Sequence, residues 1–470
     1  MYFNAGPKKT KNKKDKKEPK IIKPLLPPAI PPPPLTQGEF ICIHIGQAGV
    51  QVGSACWELF CLEHGINPDG SVHQLTTSST SFFSLSQTDS YVPRALLVDT
   101  EPSVIDTIRV GSNQKLFLTQ SLINGNESAA SNYATGFYGL GRKLSSAVMD
   151  QLSHLAEDCS SLQGIILFRS IGGGTGSGMG SRIIKNIKNT YPSKTIIDFN
   201  ICSSPELSPV IVEPYNAAFT TYENLDDVNC SLLFDNKSLY HICGSKLDLP
   251  NPTHGNINNI IAQVTSGITS SLRFEGSMMN NITDLLTNLI PQPRLHFPII
   301  TYAPNTNNIH FIPSTCTQLA AMSFDRTNQM IKIDPALGKY VSVCMMFRGD
   351  LKPTDINTTI AYIQREHSFP VTGNMISPIF KFGLCYQPII TTSCSGTFAA
   401  SRAITTLSNN TAVKHRWINM MKNYNKLFSK RAYLHHYIGE GMDEELFNVT
   451  NDKISKLIEE YNQVESTQQS

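Results

Sequence analysis

The stretch Gly164–Ile171 (GIILFRSI) runs directly into Gly172–Gly178 (GGGTGSG), after which Ile183, Ile184 and Ile187 recur at helical spacing. This predicted order of strand, glycine turn and helix constrains the chain more than any other feature. Five glycines in seven residues admit positive φ angles and close backbone approach, so several N–H groups and a helix N-terminus can face one anion. The turn therefore reads as a phosphate cradle. It is not a Walker loop, because GxxxxGK[ST] is unmatched and the loop holds no Lys; nor is it a GxGxxG fingerprint followed by a ribose-binding acid. A flexible linker is the competing reading, and the regular elements on both sides weigh against it.

Two further segments repeat the pattern. Phe40–Ile45 is β-rich and stops at Gly46-Gln47-Ala48-Gly49; Ala55, Leu59 and Leu62 then mark a helix that Gly65 can end in the left-handed conformation. Ala95–Val98 ends at Asp99-Thr100-Glu101-Pro102, which sets two carboxylates just past a strand. Repeated strand–loop–helix units predict a parallel sheet with helices on both faces, and such sheets bind nucleotides beyond the carboxyl ends of their strands. Loops 46–49, 99–102 and 172–178 converge there. The residues alone thus point to a nucleoside phosphate with a divalent cation on Glu101 or Asp99, and leave the base open.

Charge and composition narrow the class. Over 470 residues, 39 Lys plus Arg against 37 Asp plus Glu argue against a nucleic-acid binder. Residues 1–38 carry nine Lys, two acids and nine Pro, a solvated arm outside the fold that could engage an acidic partner. No apolar run approaches the roughly 18 residues of a transmembrane segment, and no signal-peptide core is present, so an intracellular protein is expected. Eleven Cys without CxxC pairs read as small buried hydrophobes, with no disulfide or zinc site expected. Near the C-terminus, Trp417, Met420, Met421, Tyr424, Leu427 and Phe428 form one helical face, and Lys414, Arg416, Lys422, Lys426 and Lys430 are expected to make the outward face basic.

The motif GGGTGSG resembles the tubulin signature, and Gly46–Gly53 (GQAGVQVG) with Cys56–Ile66 (CWELFCLEHGI) resembles α-tubulin, Ala48 standing where the β family has Cys. The likeness continues through VPRALLVDTEPSVID (92–106), VEPYN (212–216), SLRF (271–274), PRLHFP (293–298), TYAP (301–304), GKY (338–340) and KRAYLHHYIGEGM (430–442), covering roughly residues 39–460. The length between Tyr386 and Ser408 also matches the α form, whose longer loop fills the lumenal pocket that β-tubulin leaves open.

The resemblance implies an α/β fold: a Rossmann-like tubulin GTPase domain with a parallel sheet, a central helix, an α/β intermediate domain and a C-terminal helical hairpin. Its expected divisions are a basic, proline-rich extension (1–38), a GTP-binding domain (39–236), the central helix and intermediate domain (237–412) and the C-terminal helices (413–470). It implies GTP and Mg2+ as ligands. Gln47 and Glu101 would lie at the phosphates, Glu101 also at the magnesium; Ser170, Gly174 and Thr175 would form the phosphate loop, Glu213 would meet the ribose, and Asn236 and Asn258 would read guanine. Asp284 would be presented to the GTP of a partner β-tubulin for hydrolysis, one methylene shorter than the family's Glu, while the chain's own nucleotide would stay unhydrolysed between the subunits.

Three further departures surround the pocket: Ser131 for Asn, Pro209 for Thr and His254 for the Tyr that stacks on guanine, together implying retained but weaker GTP binding. The Ser/Thr-rich loop 71–90 lacks the acetylated lysine of α-tubulins, and residues 461–470 carry one acid where α-tubulins have a Glu-rich tail, which implies weaker capture of basic motor domains. The expected function is an α-tubulin-like subunit that pairs with β-tubulin in the microtubule lattice, cytoplasmic and cytoskeletal. The rivals are a non-polymerising regulator that binds nucleotide or β-tubulin, and a stand-alone nucleotide-dependent enzyme, which the absence of a Walker lysine or Ser/His/Asp motif disfavours.

Overall fold

The computed structural model describes residues 38–72, 81–86, 89–204, 208–274, 281–306, 313, 315–366, 379–392 and 400–466. Residues 1–37 of the basic arm, residues 73–80 and 87–88 of the Ser/Thr-rich loop and residues 393–399 of the longer loop lie outside the described residues.

Strand Glu39–Ile45 is buried along its whole length, and its alternation divides two cores. Phe40 and Cys42 pack with helices Gly46–His64, Pro102–Val110 and His254–Arg273; Ile41, Ile43 and Ile45 pack with helices Gly141–Glu157 and Gly180–Thr190. A strand apolar on both faces suits the interior of a parallel sheet. Six strands form that sheet in the order Leu122–Asn124, Ala95–Asp99, Glu39–Ile45, Leu162–Ser170, Thr195–Cys202, Cys230–Asp235, every neighbouring pair parallel. Chain order runs outward in one direction from Glu39–Ile45 and then in the other from Leu162–Ser170. The topological switch point therefore falls between Ile45 and its register partner Arg169, where a doubly wound sheet opens its ligand crevice. Gly65 ends helix Gly46–His64 at φ 69, the left-handed cap that its position predicts.

Helix His254–Arg273 is buried over nearly all of its length, and the reciprocal Thr253–Asn256 capping box fixes its start. It carries the first sheet to a second, mixed one, ordered Ile379–Cys385, Tyr340–Gly349, Arg402–Asn410, Ile299–Ala303. Helices Lys414–Phe428 and Glu445–Ser466 then return to the first domain. Tyr215 and Phe219 of helix Glu213–Asn224 meet Tyr424, Tyr437 and Phe447 edge-on or tilted, with centroids 4.9–6.4 Å apart. Each fully buried ring contributes about 1.5–3 kcal/mol, which anchors the hairpin over the first sheet. No described helix is long and apolar enough to cross a membrane.

The basic outer face of helix Lys414–Phe428 is smaller than its sequence suggests. Lys422, Lys426 and Lys430 are exposed, but Lys414 is paired with Glu465, and the Arg416 Nε is buried. Arg416 lies three residues after Val413 and four before Met420, so it borders the buried stripe and is half-buried.

Candidate functional site

At the switch point lies a cavity of about 510 Å3. Gln47, Glu101, Ser170, Gly174, Thr175, Asn236 and Asn258 line it, as do Ser131, Pro209 and His254. Glu213 does not line it: it is buried behind the wall, its Cγ 2.9 Å from where a Cβ on Gly172 would sit. Asp284 is also elsewhere, exposed in the first turn of helix Ile282–Leu289.

At the end of the cavity that holds the glycine loop, three helices begin: Gly46–His64, Pro102–Val110 and the π-turn Thr175–Met179 that continues as Gly180–Thr190. None has a side chain capping its N-terminus. The helices that start at Asn236 and His254, at the cavity's other end, are capped by Asp235 and Thr253. Uncapped first-turn N–H groups and the positive ends of the helix dipoles supply the electrostatics of an anion site.

The loop glycines serve close approach and not positive φ, which corrects one half of the expectation for them; of the glycines lining the cavity, Gly46 alone has a positive φ, 74. A Cβ on Gly176 would stand 2.4 Å from the Ser170 carbonyl oxygen, and one on Gly174 would stand 2.7 Å from the Asn132 nitrogen. Gly173 has nothing within 4 Å.

Two buried side chains brace the loop from beneath. Arg169 donates from Nη1 to the Gly176 carbonyl at 3.1 Å and is paired with Asp198 at 2.5 Å, both residues 1% exposed or less. Asn216 donates from Nδ2 to the carbonyls of Ser131 (2.7 Å) and Gly172 (2.8 Å), while its Oδ1 accepts from the Tyr133 amide and the Tyr437 hydroxyl. All of its amide capacity is used, so it ties the Ser131 turn, the phosphate loop and the C-terminal segment together. Sequence spacing gave no sign of either brace, since Arg169 meets Asp198 across neighbouring strands and Asn216 joins segments 44 to 221 residues away.

On the other side, Asp99 and Glu101 face the cavity, and no Lys or Arg is among its described lining residues. Burial pushes the Asp99 carboxyl up to about 6, against the pull of the Thr100 amide and with help from the Glu101 charge. Its Oδ1 accepts from the Thr100 amide at 2.7 Å, while Oδ2 is buried without a hydrogen-bond partner. At the far end, Tyr240 joins Asn236, Asn258 and His254, its ring 6.2 Å from the His254 ring. Tyr240 and Gln51, one helical turn beyond Gln47, are lining residues that the motifs do not single out.

The Tubulin/FtsZ family GTPase domain matches residues 39–244, and the tubulin C-terminal domain matches residues 293–422. The tubulin alpha-2 chain of Caenorhabditis elegans is 41% identical over 432 residues, 91% of this chain and 96% of the relative. The tubulin alpha chain of Pneumocystis carinii is 39% identical over 434 residues, with the same shares of each.

Proposed function

The chain belongs to the tubulin family, and from that premise we propose that it is an α-tubulin-like subunit that binds GTP, pairs with β-tubulin and enters the microtubule lattice of the cytoplasm. The observation that carries the proposal is the cavity at the switch point, where uncapped helix ends and the GGGTGSG loop offer backbone donors to a polyphosphate without any lysine. In this reading Gln47, Ser170, Gly174 and Thr175 hold the phosphates, Asn236 and Asn258 the base, and Glu213 the ribose. Asp284, exposed and not among the residues that line this cavity, acts on the nucleotide of the next subunit.

The donor set fits a divalent cation. A triphosphate brought beside two carboxylates, with no Lys or Arg among the described lining residues, needs a counter-charge, and the unpartnered Asp99 Oδ2 supplies a hard oxygen for it. Glu101, with Asp99 beside it, would hold Mg2+, which neutralises phosphate charge when bound. EDTA is expected to weaken GTP binding at least about tenfold in the native chain, and Glu101→Gln to reduce that sensitivity; equal sensitivity in both proteins removes Glu101 from the cation site.

Ser131 and Ala130 adopt φ 56 and φ 47, a left-handed turn that Asn tolerates better than Ser or Ala. Ser131→Asn is expected to stabilise the protein by up to about 1 kcal/mol and to tighten GTP binding a few-fold, read by thermal melting and equilibrium dialysis. Co-expression with β-tubulin, followed by pelleting and electron microscopy, tests the assignment as a whole. Polymers containing the chain support it; a stable complex that never pellets overturns the lattice role.

A further inference from the structure

Residues 431–438 lie in the connection between helices Lys414–Phe428 and Glu445–Ser466, and their backbone is held under strain. Arg431 and Tyr433 adopt φ 50 and φ 61, a left-handed region that such side chains keep only where the surroundings hold them there. The short helix Leu434–Ile438 follows, with His435 and His436 exposed and Tyr437 buried. Three hydrogen bonds from the first domain hold this segment. The Tyr215 hydroxyl donates to the Ala432 carbonyl at 3.2 Å, and Asn132 Nδ2 donates to the His436 carbonyl at 3.0 Å. In the third, the Tyr437 hydroxyl donates to Asn216 Oδ1 at 2.8 Å.

Two of the three lead straight to the cavity wall. Asn216 donates in turn to the carbonyls of Gly172 at 2.8 Å and Ser131 at 2.7 Å, and both of those residues line the cavity. Asn132 follows Ser131 in the chain, and its backbone nitrogen lies 2.7 Å from where a Cβ on Gly174 would stand. The Tyr437 hydroxyl is therefore one side chain removed from the phosphate loop. Tyr437 is 1% exposed and Asn216 is fully buried, so bulk water does not stand in for the hydroxyl when it is deleted.

We infer that Tyr437 is a positioning residue of the nucleotide site: its hydroxyl fixes the Asn216 amide, which holds the Gly172 and Ser131 carbonyls and keeps the loop amides aimed at the phosphates. The inference rests on the reading of the cavity as a GTP site. It adds a regulatory consequence, because coupling between two places is reciprocal. A nucleotide that steadies the loop also steadies residues 431–438, and the exposed side of that segment then reports on nucleotide occupancy.

The test sets Tyr437→Phe against Tyr424→Phe in the full-length chain, with thermal melting to register the stability that each loses. Both changes delete one buried hydroxyl from the same aromatic cluster and leave the ring in place. The Tyr424 hydroxyl, however, donates to the Phe447 carbonyl at 2.9 Å and has no bond to Asn216. GTP binding by equilibrium dialysis should weaken about fivefold in Tyr437→Phe and less than about twofold in Tyr424→Phe. In an Asn216→Ala background, adding Tyr437→Phe should change affinity less than about twofold. Hydrogen–deuterium exchange supplies a readout that lost packing alone does not move. GTP should slow exchange at residues 431–438 in the native chain and in Tyr424→Phe, and slow it far less in Tyr437→Phe.

An equal loss of affinity in the two Phe variants, or native affinity in Tyr437→Phe, would reduce Tyr437 to a packing residue and overturn the inference. So would a full Tyr437→Phe loss in the Asn216→Ala background. If Asn216→Ala does not fold, the native chain decides: GTP binding that leaves exchange at residues 431–438 unchanged overturns the inference on its own. A native chain that binds no GTP defeats the nucleotide reading itself and this inference with it.

Discussion

Gly176→Ala is expected to weaken GTP binding by about a hundredfold or more, while Gly173→Ala leaves the fold and its melting temperature unchanged. The two glycines sit three residues apart in one loop and meet different surroundings. A methyl on Gly176 would lie 2.4 Å from the Ser170 carbonyl oxygen and 2.9 Å from the Ser170 nitrogen, both backbone atoms that cannot turn aside. The loop cannot simply lift away, because the Gly176 carbonyl is held by the Arg169 guanidinium and that guanidinium by Asp198. Overpacking of this kind costs about 1–3 kcal/mol, and whatever part is relieved by displacing the loop misaligns the amides that face the phosphates. A loss near 2.7 kcal/mol is a hundredfold in affinity. At Gly173 a methyl meets no protein atom within 4 Å, so its cost falls on the ligand and not on the fold. Equilibrium dialysis with GTP and thermal melting separate the two effects. A Gly176→Ala chain with native affinity would show that the loop does not depend on this close approach.

The features of the fold that follow from local chemistry were legible in the sequence. The apolar runs of Phe40–Ile45, Ala95–Val98 and Gly164–Ile171, each followed by a loop and a helix, specify a parallel sheet, and that topology alone gathers three loops at one edge. Arg169 illustrates what was not legible. In GIILFRSI it reads as one polar residue interrupting a strand, and only the register with Thr195–Cys202 sets Asp198 beside it. Asn216 likewise reads as the end of VEPYN, although its bonds close the phosphate loop from below. Arg416 is half-buried at the border of its helix's apolar stripe, with its Nε out of solvent, a position that residue type alone does not reveal. In each case the partner is distant in sequence, and a residue's type does not reveal whether its charge is answered by water or by protein.

Glu63→Gln is expected to destabilise the protein by about 3–5 kcal/mol at neutral pH, an effect that fades in acid. Glu63 ends helix Gly46–His64 and is ion-paired at 2.7 Å with Arg273, at the end of helix His254–Arg273, and at 2.7 Å with Arg348 of strand Tyr340–Gly349. Ser266 donates to the same carboxylate at 2.6 Å, and the Arg273 guanidinium stacks 4.3 Å over the Phe60 ring. One carboxylate therefore neutralises two buried cations and joins the first sheet's helix to the second sheet. Burial by itself would raise the Glu63 carboxyl, but Arg273, Arg348 and Ser266 outweigh it and hold the group down to about 2. A folded-state value depressed from 4.5 contributes stability that is complete above about pH 4.5 and is lost as pH falls toward 2. That contribution is about 3 kcal/mol, since each unit of depression is about 1.4 kcal/mol. The native chain carries a second acid limb, because His44 and His64 are each held down to about 3, chiefly by burial, and must be forced to charge below about pH 6.5. Subtracting one titration from the other removes most of the histidine limb. Urea unfolding of both proteins from pH 7 to pH 3 should give a constant difference above pH 5 that shrinks below about 4.5. A difference that holds steady down to pH 3 would mean that Glu63 stabilises the junction by shape and not by its charge.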